Sequence, residues 1–250
     1  MSGKVWLIGA GPGDLELLTL KAVRALSEAD IVMIDDLVNP DIVQFSPRAK
    51  IIPVGKRGGC KSTPQAFILR LMLRYARQGK TVARLKGGDP SLFGRGGEEV
   101  AYLQAANIAV EVVNGITSGL AAATQLGVPL THRDWTQGVT FITAHAQDDS
   151  APDWGALAAT GTTLVIYMGM SRIDALADGL LAHLPPTQPA AVVQWASTPR
   201  EQRLVTTLGK LAADATEGGF ASPAIIIVGD VLRLANAHNL EGSTGLRQQA

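Results

Sequence analysis

Five short apolar runs in the first half of this chain stop abruptly, and the way they stop constrains the fold more than any other feature. The runs are residues 5–8, 31–34, 51–54, 81–85 and 109–113. Four of them exit into glycine beside polar or charged residues: Gly9-Ala-Gly-Pro-Gly-Asp14, Gly55-Lys-Arg-Gly-Gly59, the stretch 87–97, and Gly115-Ile-Thr-Ser118. The second run ends in the acid pair Asp35-Asp36. Helical patterns lie between the runs. Leu17, Leu18, Leu20, Ala22, Val23 and Leu26 form one apolar stripe. Ser62-Thr-Pro64 opens a helix reaching about Gln78, with proline at its usual place in a first turn. Two more helices are expected at 98–106 and 119–124. Strand and helix alternating five times predict an α/β fold, a parallel sheet with helices on both faces.

The exit of the fourth run is the densest: Lys86-Gly-Gly-Asp-Pro90, then Gly94-Arg-Gly-Gly97, then Glu98 and Glu99 opening a helix. Open parallel sheets bind ligands at the carboxyl ends of their strands. Glycine there lets a ligand approach the backbone, because no Cβ intervenes. A plain turn rarely combines four glycines, two basic residues and an acid in a dozen positions.

After a connector at 127–138, which holds Thr131-His-Arg-Asp134, the pattern changes. Apolar runs at 139–143, 162–166, 190–193, 203–207 and 223–228 accompany a helical pattern at 173–184, closed by Pro185-Pro186, and a last helix at 230–235. No helix fits between 193 and 203, so those two runs are expected to pair antiparallel. The second half therefore reads as a smaller mixed sheet. The expected organisation is an N-terminal α/β domain at 1–126, the connector, a C-terminal α/β domain at 139–236 and a loose polar tail at 237–250.

Composition limits the function classes. Of 250 residues, Lys plus Arg and Asp plus Glu each total 22, a balance that argues against binding nucleic acid by phosphate attraction but permits a local basic pocket. Cys60 is the single cysteine, so no internal disulfide framework or multi-cysteine metal site is available, as expected for a reducing cytosol. No secretory leader and no membrane-spanning run is read.

The first glycine loop invites a dinucleotide reading, with Asp35 as the ribose acid. The fingerprint Gly-x-Gly-x-x-Gly nevertheless fails at Asp14. Pro12 also removes a backbone N–H that a pyrophosphate would need, and Asp14 would repel it. An adenosine-containing ligand without phosphate, such as S-adenosylmethionine, fits better.

The stretches Gly9–Asp14, Gly55-Lys-Arg57, Pro64-Gln65, Arg84-Leu-Lys-Gly-Gly-Asp-Pro90, Phe93-Gly-Arg-Gly-Gly-Glu-Glu99, Pro129-Leu-Thr-His-Arg-Asp134 and Tyr167-Met-Gly169 resemble the uroporphyrinogen-III C-methyltransferase family of the tetrapyrrole methylases. The resemblance runs in order from about residue 3 to 235. The first loop is shared across the superfamily; the central stretch and Thr-His-Arg-Asp are more specific. The chain departs from the usual pattern at Asp36, Lys61, Asn114, Ser118 and Ala144. What the resemblance implies is a two-domain fold with a ligand cleft between the domains, a cytoplasmic homodimer without bound metal, and methylation of uroporphyrinogen III at C2 and C7 to precorrin-2. S-adenosylhomocysteine would be the second product.

Carried over by position, the donor-binding set is Pro12, Gly87, Gly88, Asp89, Leu92, Thr117, Ser118, Met168 and Ala196. The resemblance assigns proton-transfer roles to Asp35 and Lys56. A polycarboxylate substrate needs positive charge in its pocket. Arg95 comes first, since its planar fork suits carboxylates; Lys56, Arg57, Lys86 and Arg133 follow. Glu98 is expected to order Arg95 or a pyrrole N–H, and His132 and His145 are alternative bases.

Overall fold

The computed structural model describes residues 3–55, 63–144 and 150–235. Lys56, Arg57, His145 and the tail at 237–250 lie outside the described residues. Two compact units emerge, Met1–Ser118 and Gly119–Ala250.

The first unit is built on a five-stranded sheet. Its elements are β1 (Lys4–Gly9), α1 (Leu20–Ser27), β2 (Ile31–Ile34), β3 (Lys50–Pro53), α2 (Gln65–Arg77), β4 (Val82–Lys86), α3 (Gly96–Ala105) and β5 (Ala109–Val113), followed by α4 (Ser118–Gln125), which continues into the second unit. The strand order is β3-β2-β4-β1-β5, every pairing is parallel, and β4 is the central strand. All five expected strands are present.

The sheet carries an apolar layer on each face. Trp6, Ile8, Ala83 and Leu85 meet Ala22, Ala25 and Leu26 of α1 on one face. Val5, Ile31, Met33 and Val82 meet Ile68, Met72 and Ala76 of α2 and Leu103 of α3 on the other. Alternation along a strand sends successive side chains to opposite faces. Arg84 and Lys86 therefore share the α2–α3 face with Val82.

The stripe starting at Leu17 does not form one continuous helix. Residues Leu15–Leu17 make a 3-10 turn on Asp14, whose Oδ1 accepts the Glu16 N–H at 2.9 Å. The α-helix then starts at Leu20, because Thr19 Oγ1 accepts the Ala22 N–H at 3.1 Å and caps it there. Leu20 consequently stands 90% exposed instead of joining the apolar face.

The second unit contains β6 (Val139–Thr143), α5 (Trp154–Ala159), β7 (Thr163–Tyr167), α6 (Ile173–Leu181), β8 (Pro189–Gln194), β9 (Gln202–Thr207), α7 (Leu211–Glu217) and β10 (Ala224–Val228). Its sheet has the order β6-β7-β10-β8-β9. β6 and β7 are parallel; β10 runs antiparallel to both β7 and β8, and β8 pairs antiparallel with β9 as expected. The short helices α5 and α7 were not expected from the pattern. Asp153 caps α5, its Oδ1 accepting the Ala156 N–H at 2.9 Å. Both helices pack against one face of the sheet through Trp154, Leu211 and Ala215.

Candidate active site

Three strand exits of the first unit converge at the carboxyl end of its sheet. Gly11 and Gly88 form an isolated antiparallel bridge, Gly88 N–H donating to the Gly11 carbonyl at 2.8 Å and Gly11 N–H to the Gly88 carbonyl at 3.2 Å. Gly115 sits against both loops: a Cβ there would lie 2.4 Å from the Gly88 carbonyl oxygen, and one on Gly9 would lie 2.5 Å from Gly115 N. No side chain fits at either position. The exits of β1, β4 and β5 thus form a cradle of bare backbone, which suits a ligand lying flat against it.

Asp89 holds this cradle together. Its Oδ1 accepts Ser91 N–H at 2.7 Å, while its Oδ2 accepts Gly115 N–H and Asn114 Nδ2–H, both at 3.1 Å. Partial burial works against its ionisation, but these hydrogen bonds outweigh it and hold the carboxyl below the usual carboxylate range. Pro12, Gly87 and Leu92 are half-buried in the same loops, and Gly88 and Thr117 are buried beside Ser118, the first residue of α4.

Arg95 and Glu98 stand on the rim. Arg95 Nε and Nη2 donate to the two Glu98 carboxylate oxygens at 2.9 and 2.6 Å, and both side chains are more than half exposed. The fork raises the guanidinium's proton affinity and lowers that of the carboxylate. Arg95 carries this pair on a left-handed backbone, φ 54°. Arg133 is exposed in a separate turn of the second unit, where His132 stacks on Trp135 and its Nδ1 accepts the Asp134 N–H at 3.2 Å.

Behind the cradle lies a buried cluster of charge. Arg84 is 2% exposed, Lys86 6% and Glu99 0%. Glu99 Oε1 accepts Gln65 Nε2–H at 2.9 Å and Lys86 Nζ–H at 3.2 Å, and lies 3.5 Å from Arg84 Nε. Arg84 donates from Nη2 to Asp35 Oδ2 at 2.8 Å and from Nη1 to the Leu85 carbonyl at 2.9 Å. Burial and the neighbouring Arg84 lower the proton affinity of Lys86 against the pull of Glu99 and Asp35. Asp35 and Lys86 were expected site residues; Arg84 and Glu99 were not. The available signal was two cations two residues apart in the central strand, which places them on one buried face and demands a buried counter-charge.

In the second unit, Met168 and Ala196 follow β7 and β8. These strands flank β10 and end at one edge of the sheet, where Tyr167 pairs with Ile225 and Gln194 with Ala224. Met168 is 48% exposed and Ala196 is buried. Trp195 is covered by the Arg200 guanidinium at 3.6 Å from the ring centroid, a stacked cation–π contact. Of the six non-glycine residues with left-handed φ among the described residues, five stand in strand-exit loops: Phe93, Arg95, Met168, Trp195 and Ser197. Backbone strain is thus concentrated in the strand-exit loops.

The family model for tetrapyrrole (corrin/porphyrin) methylases matches residues 4–212. The chain belongs to the tetrapyrrole methylases. This methylase is 57% identical over 234 residues to a uroporphyrinogen-III C-methyltransferase of Pseudomonas aeruginosa, covering 93% of the chain and 96% of that relative. Among solved structures it is similar to the Thermus thermophilus uroporphyrin-III C-methyltransferase complexed with S-adenyl homocysteine, with 42% identity, a TM-score of 0.80, and coverage of 93% of this chain and 94% of that one. It is also similar to a cobalt precorrin-4 methyltransferase of cobalamin biosynthesis, with 29% identity, a TM-score of 0.82, and coverage of 92% and 95% respectively. No helix among the described residues of the methylase is long and apolar enough to cross a membrane.

Proposed function

We propose that this methylase transfers methyl groups from S-adenosylmethionine to C2 and C7 of uroporphyrinogen III, giving precorrin-2 and S-adenosylhomocysteine. The observation that carries the reading is the 57% identity to a uroporphyrinogen-III C-methyltransferase over nearly the whole of both chains. Fold alone does not choose a substrate, since the precorrin-4 enzyme superposes equally well; its identity of 29% favours the earlier tetrapyrrole.

The residues fit the donor. The cradle of Gly9, Gly88 and Gly115 accepts a flat group against bare backbone, and Asp89 fixes the cradle's shape. The donor-binding set is proposed to include Pro12, Gly87, Leu92, Thr117 and Ser118 of the first unit, and the resemblance adds Met168 and Ala196 of the second. When bound, the donor supplies a methyl carbon activated by its sulfonium. A pyrrole carbon attacks that methyl; the carbon–sulfur bond breaks and its electron pair stays on sulfur as a neutral thioether. The methylated ring is left cationic until it loses or relocates a proton. Asp35, with Lys56, is proposed to move it. Alignment of donor and acceptor supplies much of the rate.

Arg95, held by Glu98, is proposed to meet substrate carboxylates, with Lys56, Arg57 and Arg133; Lys86, expected to join them, is instead buried with its ammonium on Glu99. A cytoplasmic homodimer with the domain limits given above is proposed as well, on the family resemblance. The deciding experiment is anaerobic incubation with uroporphyrinogen III and S-adenosylmethionine, following product mass and S-adenosylhomocysteine together. Two methyls per tetrapyrrole with matching thioether release are expected. Donor binding without transfer would overturn the proposal.

A further inference from the structure

The cluster behind the cradle has a direction. Gln65 and Lys86 donate to one oxygen of Glu99 at 2.9 and 3.2 Å, and Arg84 Nε lies 3.5 Å from the same oxygen as an ion pair, while Glu99 Oε2 and Arg84 Nε are buried without a hydrogen bond. Arg84 leads outward from that anchor to Asp35, the one charged side chain of the four that reaches solvent substantially, at 34% exposure. The members come from four elements: Asp35 from the exit of β2, Arg84 and Lys86 from β4, and Gln65 and Glu99 from the first turns of α2 and α3.

We infer that Glu99 and Arg84 are positioning residues. The buried carboxylate anchors both cations, and Arg84 extends that hold to Asp35, so that an acid and an ammonium at adjacent strand ends keep a fixed relative aim. The geometry stands without the proposed reaction; only its consequence for turnover rests on that reading. A clasp needed solely to fasten α3 to the sheet would be served as well by apolar side chains, because desolvating charges offsets most of what they gain from pairing. The arrangement makes sense when the charges it aims are used.

The same geometry gives a signature with a sign. The charged groups around Lys86 are Arg84 on its own strand, Asp35 from β2, and Glu99 and Glu98 on α3; Gln65 of α2 is neutral. Neutralising Glu99 removes an attraction for the ammonium proton, whereas neutralising Arg84 removes a repulsion. The two substitutions should move the titration of Lys86 in opposite directions.

The test uses full-length protein labelled with 13C-lysine, the Lys86 Cε resonance being assigned with Lys86→Arg. Glu99→Gln should lower the Lys86 midpoint and Arg84→Gln should raise it. Both should lower kcat for methyl transfer on the order of tenfold to a hundredfold, with the S-adenosylhomocysteine dissociation constant within about twofold of wild type. Arg84→Lys keeps the charge but loses the fork, and should lower kcat with a nearly native midpoint. Native kcat in Arg84→Lys overturns the role of Arg84, even if Glu99→Gln does not fold. Shifts of the same sign, or none, in an active enzyme refute the clasp and leave the reaction standing. Opposite shifts in a protein that methylates no uroporphyrinogen III refute the reaction and leave the clasp standing.

Discussion

At the scale of single residues, the exit of β4 divides its charges between two tasks. Asp89 is consumed by its own loop, whereas Arg95 and Glu98 face solvent as a pair. Asp89→Ala should therefore loosen the cradle and weaken S-adenosylhomocysteine binding by about tenfold or more, the equivalent of one charge-assisted hydrogen bond. Titration calorimetry reads this directly, and native affinity would reject the role. Arg95→Ala should leave donor affinity intact while methyl transfer to the tetrapyrrole is lost; unchanged turnover would remove Arg95 from the site. Asp89 also predicts an acid dependence. Its carboxyl ionises more readily in the folded chain than in the unfolded one, so its contribution to stability is complete above about pH 4. That contribution fades as pH falls through the lowered folded value. The melting temperatures of wild type and Asp89→Asn should accordingly converge in acid; a constant gap would contradict the assignment. A buried carboxylate oxygen left without a hydrogen bond, as Glu99 Oε2 is, costs about 1–3 kcal/mol or more.

At the scale of elements, the strand exits carry the strain. Gly115 is wedged against the Gly88 carbonyl, so Gly115→Ala should cost on the order of 1–3 kcal/mol in denaturant unfolding and shift the cradle. Met168 presents the opposite case. Its φ of 57° is unfavourable for a side chain by roughly 1–2 kcal/mol. Met168→Gly should hold or raise stability while lowering donor affinity, and a variant that is stabilised yet binds S-adenosylhomocysteine normally would show that the methionine is not used. The sequence made the strands easy to read, because each is a compact apolar run with a turn signal after it. Helix starts were harder. Thr19 ends the apparent stripe at Leu17 by capping a helix one residue later, and Asp153 opens α5 in a segment too short to show a period.

At the scale of the whole molecule, equal numbers of acidic and basic residues leave no overall field to draw in an anionic substrate. On the proposed reading, attraction comes from local groups such as Arg95 on the rim. Raising sodium chloride from about 50 to 500 mM should then increase KM for uroporphyrinogen III several-fold, with little change in kcat, since exposed charges are screened beyond a Debye length of about 10 Å at 0.1 M salt. A salt-independent KM would place substrate recognition on buried groups instead.

Apolar runs, glycine exits and the central Lys-Gly-Gly-Asp-Pro stretch were enough to determine a parallel α/β sheet and a second mixed sheet, because each is a local pattern with a local physical cause. Tertiary structure decided which charges work together. Arg84 and Glu99 are 15 positions apart in sequence, and Asp35 lies 49 before Arg84. Nothing local marks them as partners. Only the folding of α2 and α3 onto one face of β4 removes water from between them, and that loss of solvent turns separate charges into one cluster.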